Sequence, residues 1–271
     1  MNTRLVFALC CLALAGCFDT HLASKPGAYD VTSDHLPGAK RPIPVVIVHQ
    51  HQGKHPGYLV VFVTGDDGWS GTSAALFKHL ADQGYSLAGF SAPEVLAPIV
   101  GDGQLVHTRD AAHGLEDMYA LARHQLGLPA TTPVLIVGFS RGASAVAFTA
   151  VHPQLQDDFS GAVAIALTRE ADYLHVPEKE RGPAVQVDSQ GRLQLYPAVK
   201  LLAKKRLAVI QSTGDSYVPA AESRELLGPD TATLRLYSIE SKNHGFSDAR
   251  DKLMADLDDA LRWVEQPAPP S

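Results

Sequence analysis

Residues 134–143 read Val-Leu-Ile-Val-Gly-Phe-Ser-Arg-Gly-Ala (VLIVGFSRGA). A short apolar run enters Gly138-Phe139-Ser140-Arg141-Gly142, and the small, helix-compatible run SAVAFTA follows. This is G-x-S-x-G set between a strand and a helix. The turn is strained and the neighbouring backbone must pass close to the serine, which is why glycines flank it. Such a turn lifts the Ser140 hydroxyl above the sheet at a helix N-terminus, where backbone N–H groups stabilise negative charge.

A serine hydroxyl is a weak nucleophile and needs a base held by an acid. With a nucleophile on such a turn, the expected chain order is Ser, acid, His, each past the end of a later strand. The run LAVIQS (207–212) leads into Thr213-Gly214-Asp215-Ser216-Tyr217-Val218-Pro219, and TLRLYSI (233–239) leads to Asn243-His244-Gly245-Phe246. Asp215 and His244 therefore complete a candidate triad with Ser140. Of the twelve histidines, His244 is the one just beyond a late strand, whereas His113 and His124 fall on predicted helices and His152 at the end of one. Asp188 and Asp248 are the fallback acids, and neither directly follows a core strand.

A triad needs donors for the developing oxyanion: the N–H after the nucleophile and another from the loop after an early strand. VFVTGDDGWS (61–70) stands in that place. The reading assigns the two amides to Asp66 and Arg141, turns the Asp66 carboxylate away to order the loop, and packs Trp69 beneath it. The competing reading is a metal site built from Asp66, Asp67 and the histidines of HQHQGKH (49–55). His49 and His51 share one face of a strand, but no third ligand has an evident placement. The preferred reading of HQHQGKH is a polar hairpin at a sheet edge. A phosphate-binding loop fails, since no G-K-[ST] follows. The expected site thus holds no metal and needs no cofactor.

Further strands are predicted at 45–49, 58–64, 85–90 and 161–167, and helices at 72–83, 108–126, 141–151, 219–227 and 247–265. Strands alternating with crossover helices give a mostly parallel central sheet with helices on both faces, the α/β-hydrolase fold, over residues 45–265. The segment 169–200 reads as an irregular insertion over the strand ends, a candidate lid. Residues 266–271 (QPAPPS) read as a frayed tail.

The 271 residues are 45% hydrophobic and carry a net charge of -6. That allows a large core and offers no basic field for nucleic acid. The first residues, MNTRLVFALCCLALAGC, combine Arg4 with a short apolar stretch, too short to span a membrane and suited to export. LAGC is similar to the bacterial lipoprotein box, which implies cleavage after residue 16 and lipidation of Cys17. All three cysteines, Cys10, Cys11 and Cys17, lie at or before that point, so the expected mature chain has no internal disulfide. Residues 17–44, rich in Pro, Gly, Ser and His, read as a tether. The expected location is the bacterial cell envelope, facing the periplasm on a lipid anchor; no feature of the sequence bears on oligomeric state.

From Val45 to Val264 the chain resembles the bacterial virulence-protein hydrolases of the VirJ/AcvB type. The resemblance rests on TGDDGW, similar to that family's S-G-D-G-G-W, and on GFSRGA, GDSYVP and NHGF. Thr64 and Asp67 replace the family's Ser and Gly, and FSAPEVLAPIV stands where the family has a tyrosine and a tryptophan. The resemblance implies hydrolysis of the aminoacyl ester of aminoacyl-phosphatidylglycerol, such as the lysyl or alanyl lipid. Two other readings stay open: a general small-ester or dienelactone-hydrolase-like esterase, and a non-enzymatic lipoprotein using the fold as a binding module.

Overall fold

The computed structural model describes residues 22–36, 42–55, 57–94, 106–155, 157–181, 185–200 and 205–268. Cys17 and the leader lie outside them, as do most of FSAPEVLAPIV and the end of the tail. The strands are β1 (Tyr29–Leu36), β2 (Ile43–Gln50), β3 (Leu59–Val63), β4 (Ser86–Phe90), β5 (Val106–His107), β6 (Val134–Phe139), β7 (Gly161–Ile165), β8 (Glu170–His175), β9 (Arg192–Gln194), β10 (Arg206–Ser212) and β11 (Leu234–Ile239). The helices are α1 (Gly71–Gln83), α2 (Thr108–Gln125), α3 (Arg141–Val151), α4 (Leu195–Val199), α5 (Ala220–Leu227) and α6 (Arg250–Val264).

Eight strands form one sheet in the order β1-β2-β4-β3-β6-β7-β10-β11. Only the β1–β2 and β2–β4 pairings are antiparallel. The central strands are continuous apolar runs because both their faces are covered. Leu59, Val61 and Val63 face the core under α2, α3, α4 and α5, while Val60 and Phe62 face the one under α1 and α6. Each such fully buried side chain contributes about 1.5–3 kcal/mol relative to an exposed one.

The predicted strands and helices are present with ends moved by a few residues, as frayed boundaries allow. Three expectations are corrected. The tether reading of 17–44 fails for residues 22–36. Leu22, Tyr29 and Leu36 are buried, and β1 pairs with β2 along its whole length, from Tyr29↔Gln50 to Leu36↔Ile43. Nor is HQHQGKH an edge hairpin. β2 lies inside the sheet between β1 and β4 and does not pair with β3. Its His49 approaches Thr32 Oγ1 (3.1 Å), and His51 approaches Asp30 (2.9 Å). Finally, 169–200 is not irregular. It supplies β8, β9 and α4, and β8 joins β5 and β9 in a second, three-stranded sheet. Ala171, Tyr173, Leu174, Val176, Leu193 and Leu195 bury apolar surface on the core beside α3, which holds this segment down.

The topology fixes where a site can form. From β3 the chain crosses through α1 to β4 on one side, and from β6 it crosses through α3 to β7 on the other. Where connections diverge like this, a crevice opens outside the carboxyl ends of the strands. The β3–β6 register pairs Val63 with Gly138, so the Gly65-Asp66 turn and Ser140 leave the sheet side by side. Lys25 to Tyr29 lie at the other end. Tyr29 pairs with Gln50, Gln50 donates to Ala81 and Tyr85 carbonyls, and Lys25 pairs with Asp82 at the end of α1.

Candidate active site

Ser140 has φ 54° and ψ -115° at the N-cap of α3, a sparsely populated conformation for a residue with a side chain. The backbone is held there by Ser140 N–H donating to Ile165 O (2.8 Å). A Cβ on Gly142 would stand 2.2 Å from Val63 O, so only glycine lets the first turn of α3 pass this close to β3. Among the described residues, the others that are not glycine and have positive φ are Ala166 and Phe246. Ala166 turns the chain out of β7, ending it earlier than the sequence suggests, and Phe246 lies two residues past His244.

Asp215 and His244 must reach Ser140 from two and three strands away, roughly 10 and 14 Å at ordinary strand spacing. Both loops fold back over the sheet end. Gly214 N–H donates to Ser241 O (2.8 Å), Ser241 N–H to Thr213 Oγ1 (3.2 Å), and Ser212 Oγ to Ser241 O (3.1 Å). A Cβ on Gly214 would lie 2.6 Å from Ser241 O, so the two loops touch only because position 214 is glycine. Thr72 Oγ1 at the start of α1 donates to Gly245 O (2.6 Å) and holds the far side of the histidine loop.

The result is a continuous hydrogen-bonded row. His244 Nε2 is 2.8 Å from Ser140 Oγ, and His244 Nδ1 is 2.7 Å from Asp215 Oδ2. A carboxylate only accepts, so Nδ1 carries the proton and Nε2 is left to accept from the serine. Asp215 is buried, with no side-chain exposure, and a buried charge needs full compensation. Tyr217 N–H (2.8 Å) and Val218 N–H (3.4 Å) donate to its Oδ1, and Gln211 Nε2 (3.0 Å) donates to its Oδ2. The His244 ring packs near Phe139 and Tyr217, with centroids at 5.6 and 4.9 Å.

The Gly65-Asp66 turn stands over this row. A Cβ on Gly65 would lie 3.2 Å from Ser140 Cβ, so the loop backbone passes directly against the serine. Gly65 N–H donates to Ser73 Oγ (3.1 Å) and Gly68 N–H to Gly65 O (3.1 Å). Trp69 packs edge-on against Phe77 at 4.9 Å and stacks near Phe62 at 6.3 Å. The Arg141 amide opens α3, where helical N–H groups have no partner within the helix. The Asp66 carboxylate is turned aside onto the Arg141 guanidinium.

The fallback acids have other work. Asp248 accepts from Ser241 Oγ (2.6 Å) and Lys242 N–H (3.1 Å), shaping the turn ahead of His244. These hydrogen bonds, Ser241 first, hold its carboxyl below the usual range. Asp188 grips Arg192 in the second sheet. His113 and His124 are on α2 and His152 follows α3; Ser140 pairs with none of them. The metal reading fails on topology. β2 runs antiparallel to β4, so His49 and His51 lie at the amino-terminal end of β3, about 16 Å of strand away from Asp66 and Asp67. No group of three His, Cys, Asp or Glu side chains able to hold a metal occurs among the described residues.

Sequence reading missed Gln211, Gly214, Thr72 and Asp172. Gln211 had a visible signal, a lone amide in the buried run LAVIQS.

The chain matches no family model and no curated protein sequence. It is similar to many solved structures. One is described as a putative dienelactone hydrolase from Klebsiella pneumoniae subsp. pneumoniae (TM-score 0.59, 16% identity, covering 88% of this chain and 99% of that one). Another is an α/β serine hydrolase without lid from Xanthomonas campestris (0.54, 16%, 91% and 99%). A third is an esterase domain from a Rhodothermus marinus protein (0.57, 14%, 89% and 100%). The fold is the α/β-hydrolase fold.

Proposed function

We propose that the protein is a serine hydrolase that cleaves carboxylic esters through an acyl-enzyme. The observation that carries this reading is the unbroken row Ser140–His244–Asp215 beneath the Gly65-Asp66 turn. Ser140 Oγ attacks the ester carbonyl while His244 Nε2 takes its proton, and Asp215 steadies the resulting imidazolium. The negative charge that forms on the carbonyl oxygen is received by the Asp66 and Arg141 amides. As the C–O bond breaks, His244 returns the proton to the departing alcohol. Water then repeats the sequence on the acyl-enzyme, releasing the acid and restoring Ser140. These steps call for no cofactor.

The substrate we favour is the aminoacyl ester of aminoacyl-phosphatidylglycerol, in a cell-envelope enzyme anchored through a lipidated Cys17. Support comes from the LAGC leader, the TGDDGW loop and the acidic balance of the chain, which suits a cationic aminoacyl head. Anchoring would also confine the enzyme to the surface that holds such a lipid. The alternative is a small-ester hydrolase of general type. It draws support from the structural neighbours described as a putative dienelactone hydrolase and an esterase domain. Fluorophosphonate labelling followed by peptide mapping should mark Ser140, and an unlabelled serine in folded protein would leave only the binding-module reading. Lysyl- and alanyl-phosphatidylglycerol, offered beside short acyl 4-nitrophenyl esters, separate the two enzymatic readings by which is turned over.

A further inference from the structure

The hydrolytic steps use the backbone amide of Arg141 and leave its side chain unassigned, yet that side chain is bonded in three directions. Nε and Nη2 donate to the two carboxylate oxygens of Asp66, Nη2 at 3.2 Å, the fork geometry that makes such pairs directional. Nη1 donates to Asp172 Oδ1 at 2.5 Å. The ring of Tyr173 lies beside the guanidinium, 5.8 Å from centroid to Cζ. Asp66 belongs to the loop after β3, and Asp172 and Tyr173 belong to β8 in the second sheet. Burial alone would lower the Arg141 pKa, but the two carboxylates outweigh it and raise it.

The two amides assigned to the oxyanion thus sit on residues whose side chains grip each other. We propose that Arg141 is a positioning residue: its fork on Asp66 fixes the two oxyanion donors relative to one another, and Asp172 anchors the fork to the second sheet. This rests on the serine-hydrolase reading above. The donors come from separate elements, and one rides on a turn flanked by Gly65 and Gly68, the latter at φ +60°. Oxyanion donors act only if held to within a fraction of an ångström. The loop's other bonds, from Gly65 to Ser73, from Gly68 to Gly65 and from Ser70 to Asp67, use none of Asp66's own atoms. A lysine would keep the charge but could not span Asp66 and Asp172 with a planar fork.

The test compares Arg141→Lys, Asp66→Ala (which keeps the backbone N–H) and Asp172→Asn with wild type. Arg262→Gln, an exposed guanidinium on α6, serves as control. Four quantities are read: kcat and KM on 4-nitrophenyl acetate, inhibition by phenylboronic acid, and the thermal midpoint. The boronate forms a tetrahedral adduct on the serine that directs an oxygen at the donors. Arg141→Lys and Asp66→Ala should lose roughly 10- to 100-fold in kcat with little change in KM, as misplaced donors would. Boronate affinity should fall in step, Asp172→Asn should show a smaller loss, and the control should match wild type.

Undiminished kcat in Arg141→Lys and Asp66→Ala would overturn the proposal. So would a kcat that falls with the thermal midpoint while boronate affinity is kept, since that is loss of fold alone. If Arg141→Lys does not fold, Asp172→Asn at a half-exposed carboxylate decides by the same split. Wild-type protein that takes no fluorophosphonate label would remove the hydrolase reading and this proposal with it. A labelled wild type with unimpaired variants removes the proposal alone.

Discussion

Replacing Gln211 with methionine should loosen the acid of the triad without emptying its place. Methionine nearly keeps the volume of the fully buried glutamine but removes three hydrogen bonds. Nε2 donates to Asp215 Oδ2 (3.0 Å) and Val218 O (2.5 Å), and Oε1 accepts from Leu167 N–H (3.0 Å). The bond to the carboxylate is worth about 1.5–3 kcal/mol, and orphaning a buried amide or carbonyl costs about 1–3 kcal/mol each. Burial of the less polar methionine offsets part of this, leaving a net loss of about 3–6 kcal/mol. Against a total stability of about 5–15 kcal/mol this is a large share, and it lowers the melting midpoint by roughly 10–20 °C. Asp215 still accepts from Tyr217 and Val218 N–H. We therefore expect kcat on 4-nitrophenyl acetate to fall about tenfold, not the roughly 10⁴-fold expected when such an aspartate becomes an amide. Thermal unfolding followed by circular dichroism, with kinetics at 25 °C, measures both. A loss under about 1 kcal/mol together with unchanged kcat would refute the view that this amide compensates the buried charge.

Three other outcomes follow from the site and the leader. Ser140→Ala and His244→Ala should each remove esterase turnover, and the double variant should be no worse than either, because a triad acts as a unit; turnover that survives Ser140→Ala removes the mechanism. Asp248, whose carboxyl is held below its usual range, should stabilise the histidine loop fully above about pH 4 and lose that contribution as the pH falls toward its lowered value. The thermal advantage of wild type over Asp248→Asn should therefore shrink on acidification, and a constant difference would argue against it. Cys17→Ser should move the exported protein from membranes to the soluble fraction, since each lipid chain contributes about 0.8 kcal/mol per buried CH₂; an unlipidated, soluble wild type would contradict the leader reading.

The sequence announces what is buried on both faces and hides what is half-covered. β3 and β6 are unbroken apolar runs, β10 is one from Leu207 to Ile210, and all three could be read directly. β1 (YDVTSDHL) buries only Tyr29 and Leu36, and an edge strand covered on so little of its surface looks like a linker. The second sheet escaped notice because β9 and β5 have three and two residues, too few for a period to show. The triad was legible because chain order and strand ends constrain it. The contacts that place it were not, because they join residues far apart in the chain. Thr72 and Gly245 are 173 positions apart, and nothing in either neighbourhood names the other.

The burial of Leu22 and Tyr29 governs how an anchored molecule would stand. Four residues lie between Cys17 and Leu22, five chain steps with a reach of at most about 17 Å. They join the body near Lys25 and Tyr29, at the amino-terminal end of the parallel strands, while Ser140 opens at the carboxyl end. An upright, lipid-tethered protein would turn its crevice outward, toward esters arriving from the aqueous side. Meeting an ester in its own bilayer would require the body to tip onto its flank. Inserting about 20 flexible Gly/Ser residues after Asp19 would add roughly 25 Å of root-mean-square span and free that rotation. Turnover of bilayer-borne ester should then rise while that of soluble ester stays constant; equal rates before and after would mean that leash length does not govern access.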